Sequence, residues 1–347
     1  MKIDIRYQVR VIFVMLWQRW FLKKLLKVDP PQVIQERCIS YKMRLMDCDK
    51  CSRKCPQNAI KVRKGKVLLS PEDCSGCGIC AGACPTHAIK PENLNYHTKF
   101  KEIVQKEQPV LGCDMESDNV DVSFPCLFSL DGEFLQSLVL KLGEQGGQQL
   151  SFYFGNCFEC ENFDMYPQFM KSLKKASTLI NSLGLNFNFN SITSKENLKP
   201  NTYYYSRREI LRVFREDTFK AVQDVTEDII PRDRTGLPES RRLLVAQLKK
   251  YQESDLPAKN TLTLGGLKVV SQCTACGLCV KSCMNQALSL QTGEYETELF
   301  HKPWRCFNCG ICRNICPPKV LKRTAVGGKI KNILNSKKLF TMQRKIM

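Results

Sequence analysis

The run Cys74-Ser-Gly-Cys77-Gly-Ile-Cys80-Ala-Gly-Ala-Cys84-Pro85 sets four thiols along one short stretch of chain. Three cysteines two residues apart can wrap one face of an iron–sulfur cube. The fourth, set off by three residues and stopped by proline, points away and serves a second cluster. The small residues Ser75, Gly76, Gly78, Ala81, Gly82 and Ala83 let the backbone approach the sulfurs and donate N–H bonds to them. A structural zinc site would pair two separated C-x2-C knuckles instead.

The run recurs. Cys306, Cys309, Cys312 and Cys316 repeat it in full, with Pro317 after the last. Cys273, Cys276, Cys279 and Cys283 repeat it with Met284 in place of the proline. Cys48, Cys51 and Cys55-Pro56 repeat it without the first cysteine, because Leu45 stands there. Runs that fall in two pairs are an internal repeat. Each pair, over residues 38–95 and 266–325, resembles a bacterial ferredoxin with two 4Fe–4S clusters.

That resemblance implies how the thiols are shared. Cys55, Cys74, Cys77 and Cys80 would hold one cluster, and Cys48, Cys51 and Cys84 would give three ligands to the next. Cys38 is the nearby candidate for the missing fourth ligand; an open iron or a three-iron cluster are the alternatives. In the second module Cys273, Cys276, Cys279 and Cys316 would hold one cluster, and Cys283, Cys306, Cys309 and Cys312 the other. Trp304, just before Cys306, is expected to shield the latter from water.

Residues 96–265 lie between the modules and carry four more cysteines, Cys113, Cys126, Cys157 and Cys160, spaced C-x12-C-x30-C-x2-C. This spacing resembles thioredoxin-like 2Fe–2S ferredoxins, but its last pair is separated by two residues rather than three. It is also similar to the small iron–sulfur subunit of methanogen-type hydrogenases, a βαβ unit with cysteines on its loops. The alternatives are a fifth cluster, of the 2Fe–2S kind or another, a structural zinc for which Cys157-Phe-Glu-Cys160 alone would serve as a knuckle, and a redox dithiol or ordinary thiols.

The surrounding elements follow from pattern. A helix is expected over residues 130–143, where Phe134, Leu135, Leu138, Val139 and Leu142 fall at helical spacing. Another is expected over 166–183, with strands at 108–112, 150–154 and 185–189. The order βαβαβ favours a parallel α/β layer. Hairpins are expected at Lys64-Gly65 and Thr292-Gly293. Helices over 206–225 and 239–251 are expected to pack around the modules with their arginines solvated. The fold class is thus α+β, two ferredoxin-like dicluster modules flanking an α/β domain, for which a thioredoxin-like form is one of the resemblances. The divisions are 1–37, 38–95, 96–265, 266–325 and a basic tail, 326–347, read as a short helix or disordered.

Composition narrows the setting. The 347 residues include 20 cysteines and carry a formal net charge of +19. Cysteines in ligand runs argue against a secreted disulfide scaffold and for a reducing cytoplasm. Residues 1–29 hold seven basic and two acidic side chains, and residues 318–347 hold nine basic and no acidic ones. Residues 114–165 hold ten acidic side chains and only Lys141 as a base. Such polarity suits an acidic redox partner or an anionic membrane. No nucleic-acid module accompanies the charge, so nucleic acid is an unlikely partner.

The apolar stretch Val11 to Trp17 is too short to span a bilayer, but with Trp20 and Phe21 it suits a membrane interface or a packed helix. There is no P-loop, no G-x-G-x-x-G after a strand and no haem-attachment motif. The expected function is passage of single electrons between a redox donor and an acceptor through about four 4Fe–4S clusters. The alternatives are an oxidoreductase subunit, using an open iron or the central cysteines, and an oxygen-sensing nucleic-acid binder.

Overall fold

The computed structural model describes residues 30–198 and 236–343, apart from 45, 47, 93, 147–148 and 258–260. The expected helices over 1–29 and 206–225, and the Leu45 position, lie outside the described residues.

The insert is built on a four-stranded sheet. Strands β1 (Val110–Cys113), β2 (Val122–Phe124), β3 (Gln149–Tyr153) and β4 (Asn188–Ile192) lie in the order β2-β1-β3-β4, every pair parallel. Helices α1 (Tyr96–Val104), α2 (Gly132–Glu144), α3 (Tyr166–Ser182) and α4 (Glu239–Leu248) accompany it. The chain runs from β1 to β2 on one side and then to β3 on the other. The carboxyl ends of β1 and β3 therefore flank a topological switch point, where parallel sheets open a crevice.

Helix α2 starts where the Asp131 carboxylate accepts from the N–H groups of Glu133 and Phe134, both at 2.8 Å. The sequence pattern reads α2 as amphipathic, but its polar residues are buried as well as its apolar ones: Glu133, Gln136 and Ser137 sit inside beside Phe134, Leu135, Leu138 and Leu142. A helix buried all round belongs to the middle of a core. Each of its large apolar side chains contributes about 1.5–3 kcal/mol by leaving water. This core is shared: Ile79 of the first module and Val326, Ile330 and Ile333 of the C-terminal region join it.

Two strands differ from expectation. β2, three residues long, carries too little pattern to be read from sequence; it is pinned to β1 by Asp121, whose carboxylate accepts from the Val110 N–H at 2.8 Å. β4 begins later than expected, at Asn188, where pairing with Gln149 begins.

The modules are made of short antiparallel pieces. Ile60–Arg63 pairs with Lys66–Leu69 around Lys64-Gly65, both at positive φ as this tight turn requires. Gln32–Val33 pairs with Ile89–Lys90. In the second module Gly266–Val269 pairs with Leu321–Thr324, and Leu288–Thr292 with Glu296–His301.

The basic tail is neither free nor a lone helix. Gly328–Lys329 pairs with Asp255–Leu256, Ile330–Leu334 is helical, and Lys337–Gln343 adds a third strand beside Glu296–His301. Ile330 and Ile333 are the reason: both are buried in the main core and draw the tail back. The expectation that the arginines of α4 are solvated also fails at Arg241, which is 1% exposed.

Candidate metal centres

The four cysteine runs fold alike. The residue three places after each closing cysteine, namely Asn58, His87, Gln286 and Lys319, has positive φ. Its N–H donates to the carbonyl of that cysteine at 3.1–3.2 Å. The turn then aims the next N–H at sulfur: Ala59 donates to Cys55 Sγ at 3.3 Å, Ala88 to Cys84 Sγ and Ala287 to Cys283 Sγ at 3.2 Å. At the opening of the runs Gly76, Ala275 and Asn308 take positive φ, and Gly78, Gly277 and Gly310 start the short ligand helices. N–H groups aimed at sulfur stabilise thiolate charge.

Three expected ligand sets each line a common cavity. Cys55, Cys74, Cys77 and Cys80 share one with Ile60, Gly76 and Gly78. Cys283, Cys306, Cys309 and Cys312 share a second with Leu267 and Ile311. Cys273, Cys276, Cys279 and Cys316 share a third with Leu290 and Leu321. Four thiols in a small apolar cavity, with backbone donors on the sulfurs, fit a 4Fe–4S cluster. In the fourth set burial pushes the Cys51 thiol up to about 12, and the nearby Cys84, Cys48 and Cys38 add to the rise. Cys38, 9% exposed, therefore sits among Cys48, Cys51 and Cys84.

Burial likewise pushes Cys279 and Cys306 up to about 11. Cys80 and Cys312 go higher still, through burial and then neighbouring thiols. Such thiols ionise only when a cation compensates them, so binding iron and releasing protons are one event.

The insert also gathers its four cysteines. Cys113 ends β1, Cys126 follows β2, and Cys157 and Cys160 follow β3, at the switch point. A hydrogen bond with Cys157 lowers Cys113 to about 6. That hydrogen bond first, then burial and the remaining thiols, raise Cys157. Burial lifts Cys126 to about 12. Asn156 Nδ2 donates to Glu116 Oε1 at 3.3 Å and ties the two cysteine loops together. Asn162 Nδ2 donates to Cys126 Sγ at 3.7 Å, across 36 residues of chain with no local pattern to announce it. Among the described residues, no three His, Cys, Asp or Glu side chains are drawn in as closely as a single metal ion requires. Ligands of a multi-iron cluster stand further apart, around several metal atoms.

The sets are neighbours in series. Cys77 is among the thiols felt at Cys126, Cys51 among those felt at Cys80, and Cys279 among those felt at Cys312. Between the modules, the His87 and Phe307 rings lie 5.7 Å apart, bridging the turn after Cys84 and the residue after Cys306. Asn314 Nδ2 also reaches Met46 Sδ at 3.3 Å.

The junction holds a charged group that the sequence left unassigned. Arg241 forks onto Glu133 at 2.7 and 2.6 Å and donates to the carbonyls of Trp304 at 2.9 Å and Cys306 at 3.2 Å. Its guanidinium lies over the Phe307 ring at 5.0 Å. His87 stands 3.5 Å from Glu133 and 3.9 Å from Asp131. Burial alone would raise the Glu133 carboxyl; Arg241 and His87 outweigh it and hold it well below the usual carboxylate range. Burial opposes charge on His87, but Glu133 and Asp131 prevail and raise its pKa. Trp304 is half-buried, and its carbonyl rather than its ring meets this network.

Gly82, expected to clear space for sulfur, instead clears space for the insert: a Cβ there would collide with the Ser129 carbonyl.

Comparison with known proteins agrees with this geometry. A 4Fe–4S dicluster domain matches residues 46–88 and 272–320. An uncharacterised ferredoxin of Methanocaldococcus jannaschii is 38% identical over 47 residues, covering 13% of this chain and 76% of that protein. The chain belongs to the ferredoxin family. It is an iron–sulfur electron-transfer protein with 4Fe–4S clusters.

A second uncharacterised M. jannaschii ferredoxin is 46% identical over 46 residues, covering 13% of this ferredoxin but only 28% of the other. The ferredoxin-type protein NapF of Escherichia coli K12 is 33% identical over 69 residues, 18% of this chain and 41% of its own. Most of the length of those two relatives is thus unmatched. No solved structure matches. No described helix is long and apolar enough to cross a membrane.

Proposed function

We propose that this ferredoxin passes single electrons along a file of five cysteine sets. The order is Cys113/Cys126/Cys157/Cys160, then Cys55/Cys74/Cys77/Cys80, then Cys38/Cys48/Cys51/Cys84, then Cys283/Cys306/Cys309/Cys312, then Cys273/Cys276/Cys279/Cys316. The second and third sets make up the module at 38–95, the fourth and fifth the module at 266–325, and the first set belongs to an α/β domain between them in sequence. Each bound cluster supplies a place for one electron. The residues around it keep water out, orient the thiolates and keep neighbouring sets close.

The observation that carries this reading is the continuity of the file: thiols of successive sets lie near enough to bear on one another's ionisation, and between the modules the His87 and Phe307 rings meet. The nearness of Cys38 to Cys48 and Cys51 supports a fully ligated cluster there rather than an open iron. In the insert the cysteines follow three strands, one, one and two, and not two strands with two each. With the parallel sheet, this supports the hydrogenase-type likeness over the thioredoxin-like one, and a cluster over zinc.

The exposed lysines Lys268, Lys281, Lys319 and Lys322 around the last set support an acidic redox partner at that end. A reducing cytoplasm, free or at an anionic membrane face, suits twenty reduced thiols.

Iron and sulfide analysis of anaerobically purified protein, followed by EPR-monitored redox titration, tests the reading. About sixteen irons are expected from the four cubane sets, with further iron and sulfide from the insert. Stoichiometric zinc without extra sulfide would remove the first set from the file.

A further inference from the structure

The ends of the file are chemically unlike each other. Of the twenty cysteines, all described, only Cys160 and Cys276 are exposed, and they belong to the first and the last set. An electron that enters or leaves by the shortest exposed route does so at these two places.

The surface around Cys160 is built like a transient protein interface. Met115 is 89% exposed and Phe158 54%, and they stand in the two cysteine loops that Asn156 and Glu116 join. Exposed carboxylates surround them: Asp114 and Asp118 in one loop, Glu159 and Asp164 in the other. The cation paired there is Lys195, 3.8 Å from Glu116 and itself exposed. An apolar centre with a rim of one charge sign is the pattern of weak, fast electron-transfer encounters, in which the rim steers and the apolar centre docks. Phe158 leans on Phe163, with ring centroids 5.0 Å apart, yet more than half of it stays bare, and Met115 is almost wholly bare, so both offer apolar area beside the Cys160 thiol.

We infer that this loop face is a docking portal for a basic redox protein, which meets the Cys157–Cys160 loop through Met115 and Phe158. The inference rests on the reading that the insert's thiols hold a redox group. Polarity follows from it: the acidic face takes a basic partner, while the lysines around Cys276 repel the same molecule, so the two partners are sorted by charge and cannot exchange ends.

The test uses the full-length, cluster-loaded protein and a basic cytochrome c in its redox-inactive zinc-porphyrin form, so that binding is read without electron transfer. In the portal variant Asp114, Asp118 and Glu159 are changed to Lys; in the control Lys268 and Lys322 are changed to Glu. Binding is followed at low and high salt by the fluorescence anisotropy of the zinc porphyrin. The native protein should bind weakly, with affinity falling as salt rises. The portal variant should bind at least about tenfold more weakly at low salt, and the control as well as native or better. Met115→Ser with Phe158→Ser should lower affinity without changing its salt slope. Native-like binding by the portal variant, or an equal loss in the control, overturns the portal. Failure of the underlying reading shows separately, as a Cys157→Ser variant that keeps the iron and sulfide content of the native protein.

Discussion

Arg241 and Glu133 form a two-pronged ion pair, at 2.7 and 2.6 Å, in a place where Arg241 is 1% exposed. The pair joins α4 to the start of α2, and through the carbonyls of Trp304 and Cys306 it also holds the second module. A buried charge left without its partner is costly, whereas removing both charges together is not. Arg241→Met alone should therefore destabilise the protein by about 3–5 kcal/mol. The double change Arg241→Met with Glu133→Leu should recover much of that loss. Anaerobic chemical denaturation checks both. A single variant as stable as native would show that the pair contributes little.

Cys38→Ala leaves its set with three thiols. The expected outcome is a cluster that loses one iron, giving a three-iron EPR signal, while iron at the second module is unchanged. Cys38→Ala with native iron content and unaltered spectra would return the set to an open-iron arrangement.

His301 is buried in the strand beside Lys337–Gln343, with its Nε2 unpartnered. Burial, and then the charge of Lys337, depress its pKa from 6.5 to about 4. In the unfolded chain the imidazole takes a proton as pH falls through its ordinary value; in the folded chain it does not until near 4. Stability is thus unaffected above about pH 7 and lost progressively below it, by roughly 2 kcal/mol at pH 5. His301→Leu should flatten the fall in denaturation midpoint between pH 7 and 5. An unchanged slope would place the pH dependence elsewhere.

The cysteine runs were legible because three thiols two residues apart can face one cluster whatever surrounds them; which run lends its closing cysteine to which set came from the ferredoxin resemblance. Helices α2 and α3 were legible from period, as Phe169, Leu173, Ala176 and Ile180 illustrate by lining one buried face. The junction was not. Arg241 lies in a stretch rich in basic residues, and nothing local distinguishes it from Arg242; its partners are 108 and 65 residues away. The same holds for Gly82, whose neighbour Ser129 stands 47 residues further along the chain, and for the returning tail, whose strand is set by a hairpin it follows.

That returning strand has a consequence for how copies of the chain behave towards one another. Lys337–Gln343 covers one side of Glu296–His301, whose other side is already occupied by Leu288–Thr292. A chain cut after Gly327 would expose a six-residue edge carrying Leu299 and Phe300, open to a strand from any neighbouring molecule. The missing piece could then come from a second, intact chain, exchanging tails between copies. Such a cut would thus bear on the state of association of this ferredoxin as well as on its own core, which loses Ile330 and Ile333.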